Sequence, residues 1–209
     1  MIVKSYFKLI GLILILGSCN NSEQKSPEVN TSGDFVVLKV PDTVINISLL
    51  FYDNKISKWL KDGNDFSGYA IAKNQKGNLI KKFGILNGSS QNEWLEWFDN
   101  GALKSSTNFY KGKLHGEKKD WSSDSSHTLL SHLKYTNGKL NGEQRKWYPT
   151  GEINKILNFE MGKENGIQKA FRQNGVVFAN YEAKNGRTFG LRKASLCFGL
   201  EDQKIKNDE

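Results

Sequence analysis

The sequence predicts an all-β protein: an elongated antiparallel sheet of stacked β-hairpins, about 24 residues per repeat. Three observations predict it. A pair of glycines four apart recurs as Gly112/Gly116, Gly138/Gly142, Gly162/Gly166 and Gly186/Gly190. Between the pairs a second turn recurs, as Gln75-Lys76-Gly77, Asp99-Asn100-Gly101, Pro149-Thr150-Gly151 and Gln173-Asn174-Gly175. Four residues before the glycine of that turn stands a bulky ring, Trp97, Trp147 or Phe171. Trp121 holds the same place in the copy whose turn, Ser122 to Thr128, is two residues longer.

The chain opens with Lys4 and Lys8 around the start of an apolar segment that runs on from Leu9 to Leu16, too short to cross a bilayer. Leu16-Gly17-Ser18-Cys19 follows. This run resembles the lipobox of bacterial lipoproteins. The resemblance implies a signal peptide over 1–18, diacylation of Cys19 and a membrane-anchored place in the bacterial cell envelope, facing the periplasm or the cell surface. A plain signal peptide and a cytosolic chain with an apolar start are the other readings of these residues. Residues 19–34 hold too few apolar side chains to order themselves and read as a flexible tether.

Residues 35–191 are the expected repeat domain, entered by a strand over Phe35 to Ile47. Gly63/Gly68 is a faint first copy, and Gly88 begins another whose second glycine is replaced by Asn92. After each ring-bearing turn an apolar residue recurs (Leu79, Leu103, Leu129, Ile153, Val177), with another six residues on (Ile85, Phe109, Tyr135, Phe159, Ala183). Even spacing predicts that both lie on one face of an extended strand. Gly, Asn and Asp at the turns supply the positive φ that a two-residue hairpin requires. One hairpin is not stable alone in water, so the copies are expected to share a continuous core built on Trp97, Trp121, Trp147 and Phe171. Residues 192–209 are expected to form a closing strand, Arg192 to Leu200, and a polar tail.

The pattern G-x-x-x-G-x-x-x-x-[WF]-x-x-x-G resembles the bacterial variant of the MORN repeat. Its best copies run from Gly112 through Gly116 and Glu117 to Trp121, and from Gly138 through Gly142 and Trp147 to Gly151. The resemblance covers Ser48 to Leu191 and implies a twisted antiparallel sheet built hairpin by hairpin. The layout also resembles proteins labelled YwqK-family antitoxins. Such an antitoxin acts in the cytoplasm, whereas this chain carries an export-like start. Repeats of this kind specify a scaffold and leave function to its surfaces.

Composition narrows the classes. The chain has 209 residues, and 37% hydrophobic content plus 20 glycines places it among ordinary globular proteins. The formal charge is +8, or +6 without Lys4 and Lys8, but Glu and Asp are interspersed throughout and no stretch reads as a nucleic-acid arm. Two cysteines, Cys19 and Cys197, make neither a disulfide framework nor a four-ligand zinc site. Cys197, between Leu196 and Phe198, reads as a small apolar residue rather than a nucleophile.

Chemistry finds little footing. His115 fills a slot taken elsewhere by Ser67, Asn141, Asn165 and Phe189, which makes it a turn residue. His127, His132, Asp124, Ser125 and Ser126 cluster about the enlarged turn, but a triad needs rigid placement and an oxyanion hole. Asp124, His127 and His132 as metal ligands lack a fourth ligand and supporting partners. The glycines precede strands, whereas a phosphate cradle opens a helix. No catalytic residue, metal or cofactor is expected.

The expected function is therefore non-enzymatic: a lipid-anchored scaffold for protein–protein interaction, with an immunity or antitoxin role as its most specific version. The alternative is association with a membrane surface or polysaccharide. Lys118 and Lys119, Arg145 and Lys146, and Lys169 and Arg172 form a basic ladder beside the rings, and these six are the candidate contacts for a protein partner. Within each pair the two side chains should face opposite ways, with Lys119, Lys146 and Arg172 expected in one row.

Overall fold

The computed structural model of the chain describes residues 38–191. The expected signal segment, Cys19, the tether, residues 35–37 of the entry strand, the closing strand with Cys197, and the polar tail all lie outside the described residues.

The described chain is almost entirely strand. β1 (Val44–Asn46), a single 3-10 turn (Ile47–Leu49), β2 (Phe51–Asp53), β3 (Lys58–Lys61) and β4 (Asn64–Asp65) lead into the long strands. These are β5 (Gly68–Lys73), β6 (Leu79–Leu86), β7 (Ser89–Trp97), β8 (Leu103–Tyr110), β9 (Lys113–Trp121) and β10 (Leu129–Thr136). After them come β11 (Lys139–Leu140), β12 (Gly142–Trp147), β13 (Ile153–Glu160), β14 (Lys163–Glu164), β15 (Gly166–Phe171), β16 (Val177–Lys184) and β17 (Arg187–Leu191). Among the described residues β2, β3 and β4 make a three-stranded sheet, and the other strands join one 14-stranded sheet in sequence order. That sheet is antiparallel except at its start, where β1 pairs in parallel with β5. The entry strand thus departs from the expected antiparallel order. The small sheet intervenes between β1 and β5 and is long enough to carry the crossover that a parallel pair needs.

Two kinds of turn alternate. On one edge both central residues have positive φ, as in Asn87-Gly88 (49° and 73°), Asn137-Gly138 (49° and 82°) and Met161-Gly162 (46° and 87°). Both signs match the right-handed twist of the flanking strands. Four of these turns rest on the preceding hairpin: the glycine N–H donates to a main-chain carbonyl, Gly88 to Phe66, Gly112 to Ser90, Gly138 to Leu114 and Gly162 to Leu140, at 2.7–2.8 Å. On the other edge the ring-bearing strand ends in a longer turn, closed by Gly101 N–H to Phe98 O, Gly151 to Tyr148 and Gly175 to Arg172.

A register shift falls between the ring and the residue before it, at Glu96/Trp97, Lys146/Trp147 and Ala170/Phe171, with the extra residue on the next strand. The extra residue breaks the period of two. Leu103 pairs with Trp97, while Phe109, six residues on, falls on the other face with Thr107 and Ser105. The expectation that the two recurring apolar positions share a face is therefore corrected, because alternation survives only up to the bulge.

The core sits at the N-terminal end. Phe66, Ala70, Phe83 and Ile85 are buried, with Ile45, Ile47, Leu50, Trp59 and Trp94 packed on them. Rings continue this core through Tyr52, Trp59, Phe83, Trp94 and Phe109, with successive centroids 4.3–5.5 Å apart. Past β8 the buried residues of that same face are small or polar: Ser131, Gln144, Gln168, Ala170, Ala179 and Ala183.

Candidate interaction face

The second glycine of each pair opens the sheet. Gly116, Gly142 and Gly166 have φ of 93°, 87° and 90°, and Asn92, in the same place, adopts 60°. Asparagine tolerates the left-handed region, which explains how that copy manages without glycine. At Gly142 the β10–β12 ladder is interrupted: Lys134 O still accepts from Asn141 N–H at 2.9 Å, but Lys134 N–H has no main-chain partner there. Gln144 fills the gap: its Oε1 accepts from Lys134 N–H at 2.6 Å and its Nε2 donates to Lys134 O at 3.2 Å. Gln168 repeats the arrangement on Asn158, at 3.0 and 2.7 Å. Both side chains are essentially inaccessible, at 1% and 0%. Buried amides of this kind are tolerated because every polar atom finds a partner. The sequence reading missed them, although a glutamine two residues after the second glycine in consecutive copies was the available signal.

His115 behaves as a turn residue. Its Nδ1 lies 3.4 Å from Asn137 N–H, in the place where Ser67, Gln91 and Asn141 accept from Asn87, Lys111 and Met161. In these four copies the slot holds an acceptor that ties one turn to the next, whereas Phe189 in the last copy has none. His127 stacks on Trp121 (6.0 Å, 8°) and its Nε2 meets Leu103 O at 2.6 Å. Hydroxyl groups of Ser126 and Ser122 hold the Asp124 carboxyl below its ordinary pKa, and Asp124 bonds only within its own turn. No group of these residues is arranged as nucleophile, base and orienter. Among the described residues no cluster of three or more His, Cys, Asp or Glu is placed to hold a metal ion. None of the described helices is long and apolar enough to cross a membrane.

Register sorts the basic ladder. Lys119 pairs with His132, His132 with Arg145, Arg145 with Ile156 and Ile156 with Lys169, so these side chains form one row across the strands. Lys146 pairs with Ser131 and Lys155, in a row that continues to Asp120 on the other face. Lys118, opposite Leu133 and Thr107, also lies on that other face, 3.7 Å from Asp120. Arg172 falls in the turn after β15. The expected row of Lys119, Lys146 and Arg172 is therefore replaced by Lys119, Arg145 and Lys169. Each of these three stands third after its second glycine, and distance from the bulge, rather than order within a basic pair, sets the face.

The same face carries the rings. Trp97, Trp121, Trp147 and Phe171 pair with Leu103, Leu129, Ile153 and Val177 in a row two residues from the basic one. All four rings are half-buried rather than enclosed. They lie opposite the buried face of small residues and glutamines, so they pave a surface instead of filling a shared core. On the far side of the basic row lie Glu117, Lys134 and Glu143. Lys119 Nζ is 2.5 Å from Glu117 and Arg145 Nε 2.6 Å from Glu143. His132 Nε2 approaches Glu117 to 3.0 Å, too obliquely for a directed hydrogen bond. The Lys119 hydrogen bond, opposed by partial burial and aided by His132, lowers the Glu117 pKa. In the middle of this face Leu129, His132, Lys134, Glu143, Arg145 and Trp147 line a shallow groove of about 340 Å³.

No protein-family model matches the chain, and a search of curated proteins finds no match either. The geometry of this face carries the functional reading.

Proposed function

We propose that this chain is a lipid-anchored protein of the bacterial cell envelope whose hairpins are MORN-like repeats of about 24 residues. In this reading it is a non-enzymatic scaffold for protein–protein interaction, and immunity toward a toxin is the most specific form of that role. The observation that carries it is the pairing of a half-buried row of rings with a parallel row of cations on one face, opposite a face whose buried residues are small or polar. Rings and arginine are the residue types that anchor protein interfaces. The MORN likeness is supported by the turns at Gly88, Gly112, Gly138 and Gly162, whose glycine N–H groups bond back to the preceding hairpin. Anchoring rests on Cys19 and on the apolar run before it.

A second reading, association with an anionic membrane surface or polysaccharide, is favoured by Ile167 and Phe189, exposed at 45% and 55% on either side of Glu182, with the Lys184–Arg187 pair next along the strands. One experiment separates the two. The protein is crosslinked in its own envelope at low and high salt, beside a Cys19→Ala variant. A scaffold gives a discrete protein adduct that survives high salt, and the variant loses its membrane fraction. Surface association gives no discrete adduct and dissociates steeply as salt rises.

A further inference from the structure

The two rows on the charged face have a repeat length, and it selects a class of ligand. Equivalent residues such as Trp147 and Phe171, or Arg145 and Lys169, lie two strands apart. That spacing is about 9.6 Å, because neighbouring strands are about 4.8 Å apart. The rows themselves are separated by two residues along each strand, about 6.7 Å. A polyproline II helix turns once in three residues and advances about 9.3 Å per turn. Laid across the strands, it would place every third residue on a ring and the next on a cation, with the third facing solvent. A β-strand or an α-helix laid the same way has no three-residue period to match.

Charge narrows the sequence of that helix. In the strip bordering the rings, the cations Lys119, Lys134, Arg145 and Lys169 face the carboxylates Glu117 and Glu143. Lys134 and Lys169 take no part in the ion pairs of the strip. The groove beside Trp147 offers one flat ring and the cations Lys134 and Arg145 against a single carboxylate, Glu143, which is held by Arg145 Nε, enough for one proline and one further carboxylate. Trp121 is already stacked on His127, so the rings at Trp147 and Phe171 provide the open platform.

We infer that the charged face takes an extended, proline-rich acidic segment in polyproline II conformation, with prolines on Trp147 and Phe171 and carboxylates on Arg145, Lys134 and Lys169. The inference rests on the scaffold reading and specifies the chemistry of its partner. Aromatic-lined grooves recognise such helices because their conformation is already fixed before binding.

The test titrates the full chain, in detergent, with three 12-residue peptides, reading tryptophan fluorescence and calorimetric affinity. The peptides are (Pro-Pro-Glu)4, (Pro-Pro-Lys)4, and a block peptide of eight prolines followed by four glutamates. The periodic acidic peptide is expected to bind at least tenfold more tightly than either control. An Arg145→Glu, Lys169→Glu variant with an unchanged circular dichroism spectrum is expected to lose that preference. Equal affinity for all three peptides, or no binding of the periodic acidic one, overturns the inference. If a crosslinked protein partner is still captured in that case, the scaffold reading stands and only the ligand class is wrong. If no partner is captured either, both fall.

Discussion

Trp94 and Gln144 occupy the same place in two regions of the sheet and solve the same problem differently. Each stands two residues after a positive-φ residue, Asn92 or Gly142, and each donates to the carbonyl ten residues earlier. The indole N–H of Trp94 reaches Gly84 O at 3.3 Å, and the rest of the ring packs on Phe83 and Phe109. Gln144 instead satisfies both the N–H and the carbonyl of Lys134, and adds almost no apolar packing. The N-terminal end, covered by the small sheet, is thus held by apolar burial, and the later copies by buried amides. The lesson is that one backbone bulge can be closed by a ring where a cap supplies a core, and by glutamine where none exists.

Substitutions can break this contrast. Phe83→Ala, at a residue 4% exposed in the capped core, is expected to cost about 3–5 kcal/mol in chemical denaturation. A loss under 1 kcal/mol would show that the N-terminal end is not held by burial. Gln144→Leu keeps the volume but strands the amide of Lys134, whose carbonyl retains Asn141 N–H, at a cost of about 1–3 kcal/mol. The Lys134 amide should also exchange hydrogen faster in that variant, and unchanged exchange would refute the role given to glutamine. Trp147→Ala removes a ring that is only half-buried, so about 2 kcal/mol is expected, below the cost of a core ring. His115→Ala, which loses exposed turn contacts with Asn137 and an edge contact with Tyr110, should cost less than the Trp147 change.

Smaller effects sharpen the picture. Met161 holds φ of 46° at the first turn position, where Asn87, Asn137 and Asn185 stand in three other copies, and it bonds Asn141 only through its main chain. Met161→Asn is expected to stabilise the protein by about 0.5–1 kcal/mol, read as a rise in midpoint without a change in slope. Glu117, whose pKa is lowered chiefly by Lys119, contributes stability above the ordinary carboxylate pKa. That contribution is lost as pH falls through its lowered pKa. Its exposure keeps the term well under 1 kcal/mol, so Glu117→Gln should flatten the acid limb of the stability profile only slightly.

Much of the sheet is readable in the glycines, because positive φ at Asn87-Gly88 or Asn137-Gly138 is a local requirement with a local residue signature. The ring position is equally local. What the sequence does not disclose is set by pairing. The bulge after Trp97 sends Leu103 and Phe109 to opposite faces although their spacing is even. The row of Lys119, Arg145 and Lys169 emerges only when each is counted from its own bulge across three strands. Gln144 looks like a surface residue until the amide ten residues back is seen to need it. The parallel pairing of β1 is likewise a product of the small sheet between it and β5, which no periodic signal announces.

The face assignment is tested most directly by two triple charge reversals, compared in the same envelope crosslinking experiment. Lys119→Glu, Arg145→Glu and Lys169→Glu together change only the face that carries the rings. Lys118→Glu, Lys146→Glu and Lys155→Glu together change only the opposite one. With sheet content preserved in both, the first set is expected to abolish the partner adduct and the second to leave it at wild-type level. Equal capture by both variants, or loss confined to the second, would contradict the assignment of the ring-bearing face as the binding surface.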